Sequence, residues 1–171
     1  LGRIVADMIA ANSEAPADGL VDRVENHLAR LNVTSTYWPG DEELRQTLAT
    51  EPVYRRYPRK RLRMFLEAIE DHLRKETRQP QIERLGYPIE HLLPRNWQQS
   101  WPVETPEDAE VRQSRVNRLG NLTLLTTSLN SKVSNGPWPT KRRALLNHNT
   151  ITLTGRVIGR TEDAPWDEAL I

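Results

Sequence analysis

Apolar positions recur at helical spacing through the first half of the chain and break into short, proline-bracketed runs in the second. Leu20, Val21, Val24, Leu28 and Leu31 follow one helix face after an Asp18 cap. Asp41-Glu42-Glu43-Leu44 places acids where a helix N-terminus favours them. The spacing predicts the longest helix from about Pro58 to Glu76, with Leu62, Phe65, Leu66, Ile69 and Leu73 in one apolar stripe and Arg, Lys and Glu opposite. After Gln79-Pro80 the period changes. Tyr87 to Pro94 suits a strand leading into a loop, and Asn96 to Pro106, with two Trp and two Pro, an irregular segment. Thr105-Pro106-Glu107-Asp108 is a helix start, and Gly120 an expected terminator for that helix. Asn121 to Thr126 predicts a second strand, Ser128 to Ser134 a short helix, Thr140 to Asn147 another helix, and Thr150 to Ile158 a third strand.

Composition narrows the classes. Charged residues are 27% against 37% hydrophobic, which is the balance of a globular chain with a core. The absence of cysteine excludes a disulfide framework, a thiolate zinc site and a thiol nucleophile. No apolar run approaches the roughly 20 residues that cross a bilayer. The opening at Leu1-Gly2 and the closing Trp166 to Ile171, which resembles a helix cut in its first turns, are read as those of a piece of a larger intracellular protein.

Net charge is only +1, but it is unevenly placed. Between Gly86 and Thr150 eight bases face five acids, and Ser128 to Thr150 holds four bases and no acid. Upstream, Arg55, Arg56, Arg59, Lys60, Arg61 and Arg63 have no acid among them. Such runs suit either a solvated helix face or a surface for a polyanion.

Three segments carry candidate chemistry: Ile89-Glu90-His91-Leu92-Leu93-Pro94, Leu119-Gly120-Asn121-Leu122-Thr123-Leu124-Leu125, and Asn130 with Asn135 and Lys141-Arg142. Hydrolysis of a phosphodiester needs a proton acceptor for water, and imidazole titrates near neutrality. It also needs positive charge at the phosphate and leaving oxygen, which a divalent cation supplies. Mg2+ takes oxygen ligands, often one or two from protein, and Glu90 and Asn130 are of that type.

These residues resemble the HNH, or ββα-metal (His-Me finger), nucleases, and more closely the C-terminal nuclease domain of GmrSD-type modification-dependent restriction endonucleases. Tyr37-Trp38-Pro39-Gly40-Asp41-Glu42-Glu43 and the Arg61, Phe65-Leu66-Glu67, Ile69-Glu70 series are similar to that family's helical lead-in. The likeness spans roughly Trp38 to Asn149. It implies His91 as general base, Glu90 and Asn130 as ligands of Mg2+ or Mn2+, and Asn121 as a brace that helps orient the imidazole. Asn135, Lys132, Lys141, Arg142 and Arg143 are expected at phosphate. An N-terminal ParB-like nucleotide-hydrolysing domain that senses modified phage DNA, and a cytoplasmic location, are also implied.

The expected fold is α+β: a helical lead-in over residues 1–80, packed on a small ββα-metal (HNH) core and extension over 81–171, with a following helix and strand. The expected function is metal-dependent cleavage or nicking of DNA in an antiviral restriction system. Two other readings stay open on the residues alone: a non-catalytic nucleic-acid-binding module, and a helical module regulating a partner enzyme. Trp97, Trp101 and Trp138 are expected to pack rather than stack on bases, and His27, His72 and His148 to be structural.

Overall fold

The computed structural model describes residues 2–13, 18–31, 37, 39–161 and 165–171; Leu1 and Trp38 lie outside the described residues. The chain divides into two compact units, Leu1–Thr47 and Leu48–Ile171. The first holds α1 (Gly2–Asn12) and α2 (Leu20–Ala29), and α3 (Asp41–Thr50) runs through the junction in sequence. In the second unit follow α4 (Val53–Arg56), α5 (Arg59–Glu76), β1 (Ile89–His91), α6 (Pro106–Arg115), β2 (Leu122–Leu124), α7 (Thr127–Val133), α8 (Trp138–His148) and α9 (Thr152–Gly159). The helix α5 therefore shares one unit with both strands, and the division falls between residues 47 and 48. No described helix is long and apolar enough to cross a membrane.

β1 and β2 form an antiparallel pair with Ile89 opposite Leu124, Glu90 opposite Thr123 and His91 opposite Leu122. One apolar cluster joins this pair to α5 through Val53, Leu62, Leu66, Leu122 and Leu124. A second cluster gathers Leu92, Leu93, Val116, Leu125, Leu129 and Leu145 with Trp97, Trp101, Trp138 and Trp166. The tryptophans thus pack in the core, as expected. Burying each such ring is worth several kcal/mol on the scale of about 25 cal/mol per Å².

Local signals account for several boundaries. Thr105 caps α6 by accepting a hydrogen bond from the Asp108 N–H at 3.1 Å, and Pro106 occupies the first turn. Thr126 caps α7 likewise, accepting from the Leu129 N–H at 3.2 Å. Gly120 does not terminate α6, which ends at Arg115. It lies in a 3-10 turn where an added Cβ would come within 2.5 Å of the Ile171 carbonyl oxygen, so close approach of backbone explains the glycine. Trp166 to Ile171 contains a turn rather than a helix.

Two expectations fail for one reason. The buried line of α5 is Leu62, Leu66, Glu70, Leu73 and Arg74, so two charged residues join the inner face while Phe65 is exposed. Thr150 to Ile158 is not a strand but contributes to α9. Glu70, fully buried, accepts hydrogen bonds from the Thr152 N–H at 2.9 Å and the Leu153 N–H at 2.8 Å. Those N–H groups have no intrahelical partner, and an anion at this end also suits the helix dipole. Arg74 Nε donates to Glu70 at 2.6 Å, and its Nη2 donates to the Thr150 carbonyl at 2.6 Å. A distant carboxylate therefore overrides the β-branched propensity of Ile151, Thr152, Thr154 and Val157.

Replacing Glu70 with Ala leaves Arg74 buried without its partner and α9 uncapped. The expected loss is about 3–5 kcal/mol of unfolding free energy in urea titration; a loss below about 1 kcal/mol would refute the capping role.

Candidate active site

The strand pair places its chemistry at one end. Glu90 and His91 close β1, and the chain then turns through Leu92 and Leu93 into a buried loop. Asn121 immediately precedes β2 and is fully buried. Its Nδ2 donates to the Leu93 carbonyl at 2.8 Å and the Val116 carbonyl at 2.8 Å. Its Oδ1 accepts from the Leu93 N–H at 2.8 Å and from Trp166 Nε1 at 3.1 Å. Two donated and two accepted bonds use the whole capacity of an amide side chain. Asn121 is thus a brace on the segment that leaves His91, acting on backbone rather than on the imidazole.

Lys141 plays the matching part from α8. It has no exposed surface, and its ammonium donates to Glu90 Oε1 at 2.6 Å, the His91 carbonyl at 2.6 Å and the Ser134 carbonyl at 3.2 Å. All three protons are thereby engaged. Burial pushes the Glu90 carboxyl above its usual range and the Lys141 ammonium below its own, while the contact between them opposes both shifts. Expected at phosphate, Lys141 instead ties β1 to the end of α7. Ser134 sits there with φ +37°, a region unfavourable to a side chain and costing roughly 1–3 kcal/mol.

His91 is 7% exposed. Burial lowers its pKa to about 4, helped by the charges of Arg95, Lys141 and Arg59 and opposed by the Asn117 side chain. The ring is therefore neutral near pH 7 and keeps a lone pair able to take a proton. Its Nε2 is buried without a hydrogen-bond partner. The Tyr54 ring meets it edge-on, with centroids 4.2 Å apart and planes at 77°.

Asn130 lies on α7, and its backbone carbonyl accepts from the Ser134 N–H at 3.0 Å. Its side-chain Oδ1 is likewise buried and unpartnered. Unsatisfied buried polar atoms are rare in folded proteins and ask for a ligand or a reason. Here two of them, an imidazole nitrogen and an amide oxygen, belong to the elements joined around Lys141.

The family model for GmrSD restriction endonucleases, C-terminal domain, matches residues 38–171, more than half of the chain. The chain belongs to this family. No curated protein and no solved structure matches it. Membership in the GmrSD C-terminal domain family gives the chain a nuclease role related to restriction.

In this GmrSD domain, no three His, Asp or Glu side chains cluster into a metal cage among the described residues. A carboxylate with 14% side-chain exposure at Glu90 and the free amide oxygen of Asn130 are hard donors. Oxygens of this kind suit Mg2+ or Mn2+, ions that keep several waters and need few protein ligands. Among the described residues, Lys132, Asn135, Arg142 and Arg143 make no hydrogen bond or ion pair with Glu90 or the Asn130 side chain. Lys132 Nζ hydrogen-bonds His148 Nε2 at 2.8 Å, Asn135 and Arg143 are exposed, and Arg142 is half-buried. Sequence reasoning missed Tyr54 and Asn117, and singled out Arg59 and Arg95 only as charge. Their signals are slight: Tyr54 starts an arginine-rich run, and Arg95 follows His91 by four residues.

Asn121→Ala would strand two N–H groups and two carbonyls in the interior. Unfolding free energy should drop by about 3 kcal/mol or more, and an unchanged urea midpoint would contradict the bracing role.

Proposed function

We propose that this domain is a metal-dependent DNA endonuclease or nickase, the effector of a cytoplasmic, modification-dependent anti-phage restriction system. The unpartnered, buried Nε2 of a neutral His91 carries the reading. The succession β1, β2, α7 serves as the ββα element of an HNH nuclease, with Glu90 and His91 at the end of the first strand and Asn130 on the helix.

In the proposed hydrolysis, a water oxygen bonds to phosphorus and the P–O3′ bond breaks, its electron pair remaining on O3′. His91 takes the proton of that water, and solvent protonates O3′. Glu90 and Asn130 would hold Mg2+ or Mn2+. The bound ion supplies positive charge to the phosphate and leaving oxygen. Asn121 holds the backbone after His91 in register, and Lys141 ties the Glu90 carboxylate to the backbone at the end of α7. Arg142 and Arg143, with Lys132 and Asn135, contribute to the surface that meets the duplex, by charge rather than by base readout. In the full-length protein an N-terminal ParB-like nucleotide-hydrolysing domain recognises the modified DNA.

Supercoiled plasmid cleavage tests this directly. His91→Ala should lower the rate about 10²–10⁴-fold while the protein still folds and keeps weak DNA binding, and chelator should abolish cleavage by the wild type. A His91→Ala protein that nicks plasmid at the wild-type rate would overturn the assignment.

A further inference from the structure

Three charged or aromatic side chains outside the strand pair converge on the His91 ring. Tyr54, on α4, meets the imidazole edge-on. The Arg59 guanidinium carbon lies 3.3 Å from the centroid of the same tyrosine ring, and that of Arg95 lies 5.6 Å away. Arg59 is anchored by Nη1, which donates to the Tyr54 carbonyl and to the Tyr57 carbonyl. Arg95 stands in the loop just beyond β1.

Their charge is uncompensated. Some arginines of this unit meet carboxylates, as Arg63 does Glu67, Arg74 Glu70, and Arg112 Glu168. Others, Arg59 and Arg95 among them, do not; these two are set apart by their place at the Tyr54 ring. Neither Arg59 nor Arg95 has a carboxylate within ion-pair distance among the described residues, although both are exposed. The charges acting on His91 come from Arg95, Lys141 and Arg59. Of these, Lys141 is already matched by Glu90 and has no surface. Two guanidinium groups next to an imidazole therefore create a local positive potential that only an external anion offsets.

We propose that Arg59 and Arg95, set about the Tyr54 ring beside His91, form the seat of the scissile phosphate of the DNA backbone. This seat presupposes His91 as the proton acceptor. A phosphodiester presents one negative charge on two non-bridging oxygens, which matches the planar fork of a guanidinium. The aromatic ring fixes the forks: its face holds Arg59, and its edge contact holds the imidazole. An anion held by the two guanidinium groups contacts no base, so the seat is blind to sequence.

Arg95→Gln, Arg59→Gln and Arg95→Lys in the full chain test the seat, with His91→Ala in parallel. Affinity for a short labelled duplex is measured in chelator at several salt concentrations, and cleavage in metal at saturating DNA. Each Gln variant should weaken binding about tenfold and lower the salt slope by about one. Each should also slow cleavage at saturation roughly 10²-fold, and Arg95→Lys should keep the salt slope. A saturated rate within about twofold of wild type overturns the seat, even where affinity falls, because the arginines would then contact phosphates away from the chemistry. Absence of any salt-dependent DNA affinity in the wild type overturns it as well. Undiminished cleavage by His91→Ala would instead sink the nuclease assignment, so the two failures are distinct.

Discussion

One buried ammonium organises the candidate site. Lys141 reaches from α8 into a space with no solvent and finds three acceptors, two on β1 and one at the end of α7. A buried charge is tolerated only when paired and hydrogen-bonded, and removing one partner of such a pair costs about 3–5 kcal/mol. The arrangement of β1, α7 and α8 is therefore not free to drift. It holds Glu90 in place beside His91, and the amide of Asn121 does the same for the backbone that follows.

A second buried ion pair applies the same physics to the support. Glu70 and Arg74 lock α5 to α9, and a hydroxyl contact of 2.6 Å between Thr123 and Thr154 ties α9 to β2. Within this polar framework a few atoms are left unsatisfied, among them His91 Nε2 and Asn130 Oδ1. Other unpartnered buried atoms belong to Arg84, Trp97, Asn117, Arg118 and Arg142, so it is their place beside Glu90 and on α7, not the lack of a partner alone, that singles out His91 and Asn130.

Much of this is legible in the sequence. The existence of α5 with Leu62, Leu66 and Leu73 inward, the Thr105 cap of α6 and the short apolar runs of β1 and β2 each follow from local pattern. His91, Glu90 and Asn121 stand out by type and spacing, and the family itself is matched over residues 38–171. What escapes local pattern depends on distant partners. Glu70 looks like a surface acid until α9 supplies N–H groups for it, and Thr150 to Ile158 looks like a strand until that carboxylate arrives. Lys141 resembles a phosphate ligand in a basic run, yet its charge is spent internally. Tyr54 has no recognisable motif, because its role arises from a ring placed against His91 by a fold many residues away.

The proposed hydrolysis needs a hard oxygen site shared by Glu90 and Asn130 next to His91. A crystal of the whole chain grown in Mn2+ and measured for anomalous scattering tests it most directly. The expected result is one strong peak bonded to Glu90 and to Asn130 Oδ1, absent from crystals of Asn130→Ala. A peak elsewhere, or one that survives the Asn130 substitution unchanged, would contradict it.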